Sequence, residues 1–134
     1  MNKKDDLQKR IVEFQILDTN LKLLQEKAQL VNQKLEDLQR TKIAIGDLKS
    51  AKPSKALVPL GSGNFVCGSI ENCEDIIVGI GSDVAVKKKR EKALVFLDGR
   101  IKGLESELNT VLKQSSVFVM QLERVQQEIE NLQR

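Results

Sequence analysis

Few residues in this chain could do chemistry. Cys67 and Cys73 are its only thiols, and it has no histidine. A structural zinc site asks for four soft ligands, so two thiols do not complete one. In a cytosolic chain a disulfide is not expected either, and the pair reads as two small strand residues, buried or half-buried. The stretch "GSGN", Gly61 to Asn64, has the outline of a phosphate loop. It lacks the Lys-Ser/Thr of a Walker motif and leads into a strand pattern, not a helix, so no nucleotide site is expected. Without histidine there is no candidate triad, and the carboxylates are spread over exposed heptad positions. No enzyme is predicted, and no catalytic, cofactor or metal residue is assigned. The basic run "KKKR", Lys87 to Arg90, sits at a strand-to-helix junction. It reads as solvated, or as pairing with acidic residues of a neighbouring subunit, and not as a nucleic-acid patch.

What must be positioned is therefore apolar surface. The chain has 134 residues, the length of one ordinary domain, with 3% aromatic and 31% charged residues and a net charge of +3. So little aromatic bulk argues against a thick single core. Mixed charge of small net sign suits solvated helix faces and excludes a nucleic-acid groove. No run is apolar for long enough to span a bilayer. The opening "MNKKDDLQKR" has no apolar leader segment, so a cytoplasmic location is expected.

Two long tracts carry a heptad pattern. In the first, Leu7, Phe14, Leu17, Leu21, Leu24, Ala28, Val31, Leu35, Leu38 and Ile45 recur at alternating steps of three and four. Arg10 and Lys42 interrupt the series, and their aliphatic stems can lie along a seam. Gly46, Ser50 and Pro53 mark where this helix, assigned to residues 1–50, should fail. In the second, assigned to 88–134, the stripe runs Leu94, Leu97, Ile101, Leu104, Leu108, Val111, Ser115, Phe118, Leu122, Val125, Ile129, Leu132. Gly99 and Gly103 fall off it and weaken the helix locally. Each stripe needs a partner. An antiparallel pairing puts Leu7 near Leu132, Leu21 near Phe118 and Ile45 near Leu94.

The insert between them, residues 56–87, holds five of the eight glycines and both cysteines. It reads with period two: "LVPL" and "FVCGSI" flank "GSGN", "IIVGI" and "VAVK" flank "GSD", and "ENCED" joins the two hairpins. Pro59 cannot donate to a ladder, so it belongs at a strand edge or faces away from pairing. Four short strands in one layer expose unpaired edges that a two-helix coil does not cover. The insert is therefore read as an oligomerisation module whose strands close an intersubunit barrel or packed sheets, through Val58, Leu60, Phe65, Val66, Ile70, Ile76, Val78 and Ile80. The fold class is mainly α with a small β module: a long antiparallel two-helix coiled coil connected by two β-hairpins, a single domain over 1–134.

This arrangement resembles the α-class subunit of prefoldin, also called GimC, over essentially the whole chain. "LVPLGSGNFV" (Leu57 to Val66) is similar to the family's first hairpin, and "IIVGIGSDVAVKK" (Ile76 to Lys88) to the segment entering its second helix. Two hairpins point to the α class, because β-class subunits carry one. The resemblance implies a heterohexamer of two α and four β subunits, a β-barrel platform, and coiled-coil tips that capture unfolded client proteins without ATP and pass them to a group II chaperonin. It implies no cofactor, nucleic acid or membrane. Against the family's pattern no extended C-terminal tail is expected, since the heptad stripe runs up to Arg134. At the expected tip, Ile11, Val12 and Ile16, and Val117, Val119 and Met120, spill off the seam, as binding surface or as a widened seam. The client-binding tip is assigned to Leu7, Ile11, Phe14, Val125, Ile129 and Leu132. A rival from another class is a structural coiled-coil spacer, or a filament-forming oligomer, built on the same module.

Overall fold

The computed structural model describes residues 2–48 and 54–134. Their order is α1 (Lys3–Asp47), β1 (Ser54–Gly61), β2 (Asn64–Ile70), β3 (Asp75–Gly81), β4 (Val84–Lys89) and α2 (Arg90–Gln133). The expected fold class forms: two long helices and two small antiparallel hairpins. Asn2 caps α1. Its Oδ1 accepts from the Lys4 amide at 3.2 Å, and its carbonyl accepts from the amides of Asp5 and Asp6. These bonds satisfy donors that a helix start leaves open, and the two aspartates place negative charge where the helix dipole is positive. α1 runs through Gly46; Ser50 and Pro53, read as breakers, lie outside the described residues. α2 starts at Arg90, later than expected, because β4 extends through Lys89, whose ammonium is held by Asp75 on the facing strand at 3.0 Å.

The chain forms two compact units, one of residues up to 35 with 103–134, the other of residues 36–102. In the first, Leu21, Val31 and Leu35 of α1 and Val111 and Val125 of α2 are buried. Each such side chain contributes roughly 1.5–3 kcal/mol on leaving water. The helices pair antiparallel. Arg10 meets Glu128 at 2.9 Å and Lys27 meets Glu107 at 3.8 Å, so partners descend α2 as they climb α1. This is the expected sense and approximate register. Ser115 stands in the seam with its hydroxyl shut from water and no hydrogen-bond partner.

In the second unit Ile45, Ala93, Leu97 and Ile101 are buried, and Lys42 Nζ lies 2.6 Å from Asp98 Oδ1. The strands form two separate two-stranded sheets, β1–β2 and β3–β4, the two hairpins in series expected from sequence. The "ENCED" link joins the two hairpins. Asn72 Oδ1 accepts from the Glu74 amide at 2.9 Å, and Asn72 Nδ2 donates to Asp75 Oδ2 at 3.1 Å. The Glu74 carbonyl then takes the Arg90 amide at 2.7 Å. The link is committed to this turn and to the start of α2.

Candidate functional site

The two hairpins are one small design made twice. Residues 57–66, "LVPLGSGNFV", and 77–86, "IVGIGSDVAV", correspond position by position. Each ladder slips in register just before its turn, between Pro59 and Gly61 and between Gly79 and Gly81. Gly61 and Gly81 have φ of 111° and 110°, and Ser62 and Ser82 both have 52°. The turn centres are Ser62-Gly63 and Ser82-Asp83, all with positive φ, the geometry that matches a two-residue turn to the twist of its strands. The sequence reading placed both turns correctly but missed the repeat; the paired "G-S" was the signal.

The copies differ in what covers them. In the second hairpin Val78 is only 6% exposed, while its ladder partner Val86 is at the edge of exposure. α2 holds this hairpin. The Arg100 guanidinium donates to the Gly79 carbonyl at 3.4 Å, and Lys88 and Arg100 both sit on the Phe96 ring, at 5.3 and 5.9 Å from its centre. The basic run is thereby largely accounted for within the chain: Lys88 takes the ring, and Lys87 and Lys89 take Asp75 at 3.8 and 3.0 Å. Hydrogen bonds from Lys89 and Asn72 hold the Asp75 carboxyl below its usual range, and the same contact raises Lys89.

The first hairpin keeps both faces in water. Val58 and Val66 pair on one face and Pro59 and Phe65 on the other, and all are exposed, Phe65 at 56% and nearby Leu60 at 69%. On the second hairpin Ile77, 75% exposed, and Ile80 and Val84 are open. Among the residues assigned to oligomerisation, Val58, Leu60, Phe65, Val66 and Ile80 are thus exposed, Ile70 and Ile76 are half-buried, and Val78 is covered by its own chain. Leu57 and Ile77 were left out of that assignment although they are among the most open. Apolar residues on both faces of one strand were the signal for them, since such a strand is normally covered on both sides. Cys67 is exposed and Cys73 half-buried, both as free thiols. Among the described residues no group of three or more His, Cys, Asp or Glu could hold a metal.

The first unit carries the residues assigned to the tip. Val125 is fully buried; Leu7, Phe14, Ile129 and Leu132 are half-buried; Ile11 is exposed. Val12, Ile16, Val117, Val119 and Met120 are exposed beside them, as are Leu23 and Leu30, one and two heptads beyond Ile16. Charges bind this region across the helices. Arg10 Nη1 contacts Glu13 at 2.8 Å and its Nε contacts Glu128 at 2.9 Å. Arg124 reaches Glu13 at 3.8 Å and Glu128 at 3.9 Å. The Glu13 hydrogen bond and the Glu128 charge raise the Arg10 pKa further. No helix among the described residues is long and apolar enough to cross a membrane.

The family model "Prefoldin subunit" matches residues 17–134. The chain is 34% identical over 92 residues to prefoldin subunit alpha of Methanosphaera stadtmanae, covering 69% of this chain and 66% of that one. It is 29% identical over 121 residues to prefoldin subunit alpha of Pyrococcus horikoshii, covering 89% and 79%. With that of Thermococcus onnurineus it shares 32% over 100 residues, covering 73% and 68%. The fold resembles the cryo-EM structure of filamentous PFD from Methanocaldococcus jannaschii, with TM-score 0.75, 18% identity, and 86% of this chain and 96% of that chain covered.

Proposed function

The chain belongs to the prefoldin family as an α-class subunit, a chaperone family that is not enzymatic, and on that premise we propose that it acts as an ATP-independent holdase subunit in the cytoplasm. It assembles through its hairpins with β-class prefoldin subunits, two α with four β. It binds unfolded clients where α1 begins and α2 ends, and delivers them to a group II chaperonin. The observation that carries this reading is apolar surface left in water in each unit: Leu57, Leu60, Phe65 and Ile77 on the hairpins, and Ile11, Val12 and Ile16 on α1. Open apolar clusters rimmed by charge mark interaction sites. The hairpin cluster lies on strands with free edges, suited to strand-by-strand assembly. The α1 cluster lies on a helix surface without fixed polar geometry, suited to varied apolar segments.

The test is suppression of aggregation of a denatured protein by the complex assembled with β-class subunits, without nucleotide. Suppression at near-stoichiometric complex is expected. A complex that assembles and leaves aggregation unchanged would overturn the reading. One observation favours a second reading, a filament or spacer: the likeness in fold to a filamentous PFD. Electron microscopy of the chain alone separates the two, because long filaments formed without β-class subunits support the second.

A further inference from the structure

Arg10 occupies a seam position, between Leu7 and Phe14, where the heptad calls for an apolar residue. It does not simply reach away to water. Its guanidinium joins Glu13 on its own helix and Glu128 on α2, at 2.8 and 2.9 Å, and Arg124 closes a four-membered ring of alternating charge from the other side. Asp6 adds a further negative charge near Arg10. Glu128 Oε2 is cut off from water, yet its contact with Arg10 lacks the alignment of a hydrogen bond. Charge, more than directed bonding, therefore holds this part of the helix pair. The side chains concerned are otherwise about one-third to two-thirds exposed, within reach of salt. Next to the ring lie Phe14, Val125 and Ile129, with Val125 fully buried.

We propose that Arg10, Glu13, Arg124 and Glu128 form an electrostatic latch that holds the beginning of α1 to the end of α2 and, by opening, sets how much of Phe14, Val125 and Ile129 is offered to a client. The inference rests on the proposed client site for its last step only. A seam closed entirely by apolar residues would bury these side chains permanently. A seam interrupted by an ion ring opens more cheaply, because the charges regain water as the helices part. Val125 can then contribute to capture although the closed structure hides it.

The experiment follows the full chain, assembled with β-class subunits, by hydrogen exchange, with aggregation suppression measured on the same samples. E13Q/E128Q removes both carboxylate charges, keeps side-chain shape, and leaves two arginines facing each other. Exchange in residues 3–16 and 120–132 should rise by about fivefold, the scale of losing a partly exposed ion network. Raising NaCl from about 0.05 to about 0.5 M should speed exchange in the unmodified chain and much less in the variant. R10L/E128Q completes the apolar seam and should slow the same exchange. Unchanged exchange in E13Q/E128Q and in salt overturns the latch, as does faster exchange in R10L/E128Q. Faster exchange with unchanged capture keeps the latch as a hinge on the helix pair and sinks the client-site reading on which the last step rests. Capture that rises in E13Q/E128Q and falls in R10L/E128Q supports the whole inference.

Discussion

Neighbouring residues on β3 make a sharp test of which hairpin surface belongs to the protomer and which to the assembly. Val78→Asp and Ile77→Asp introduce the same charge one residue apart on opposite faces. Val78 is 6% exposed, so its loss forfeits about 1.5–3 kcal/mol of burial. Keeping a carboxylate in that dry site costs several kcal/mol more. A total on the order of 5 kcal/mol reaches the lower bound of a small domain's stability. Ile77 is 75% exposed, and surface changes of this kind stay within about 0.5 kcal/mol in the isolated chain. The new carboxylate would face Lys87 across the ladder, an opposite-charge pair that offsets lost strand propensity. The isolated chain carrying Val78→Asp should therefore lose the second hairpin and melt at lower temperature, whereas Ile77→Asp should melt close to the unmodified chain. In the assembly the order reverses in meaning: Ile77→Asp, with its fold intact, should fail to reach full mass with β-class subunits. Circular dichroism melts and light scattering read the two properties separately. An Ile77→Asp chain that melts as low as Val78→Asp, or one that reaches full mass, would refute the division of faces.

Gly99→Ala and Gly103→Ala should each raise the melting temperature, by roughly 1 kcal/mol of helix propensity, because a Cβ at either position meets nothing within 4 Å; a fall in either melt would show a packing need for glycine. Ser115→Val should also stabilise, by about 1 kcal/mol or more, since the buried hydroxyl has no partner to lose and the position lies in the seam; denaturant melts would check it. The Asp75 carboxyl is held below its ordinary value, so its contribution is full above about pH 4 and fades as pH falls through the lowered folded value. Lys89 is raised, so its contribution is full below its ordinary value of 10.5 and fades as pH climbs through the raised folded value. Exchange protection of the second hairpin should thus be flat between those limits, and Asp75→Asn should lower the plateau and flatten both limbs.

What the sequence disclosed follows from which physical terms are local. The helices were legible because their seam is periodic, and Val31, Leu35, Leu97 and Val111 are buried where the heptad places them. The hairpins were legible because Gly61 and Gly81 open turns that need positive φ. The turn in the link between the hairpins was not legible, because it depends on the Asn72 side chain accepting from the Glu74 amide and on the Glu74 carbonyl accepting from the Arg90 amide. Nor was the burial of Val78 beside the openness of Val58. The two valines stand at matching points of a repeated hairpin, with the same local sequence signal. The structure adds the anchoring of the second hairpin to Phe96 and Arg100 of α2, and that is a matter of tertiary packing. The same reasoning bears on function. A repeat whose second copy is anchored through Gly79 while Val58 in the first copy stays open carries one face already occupied and its counterpart unoccupied. An uncovered Val58–Val66 pair, with exposed Leu57 and Phe65 behind it, is poor design for a protomer that stays alone. It is good design for a strand pair that completes its burial against another subunit.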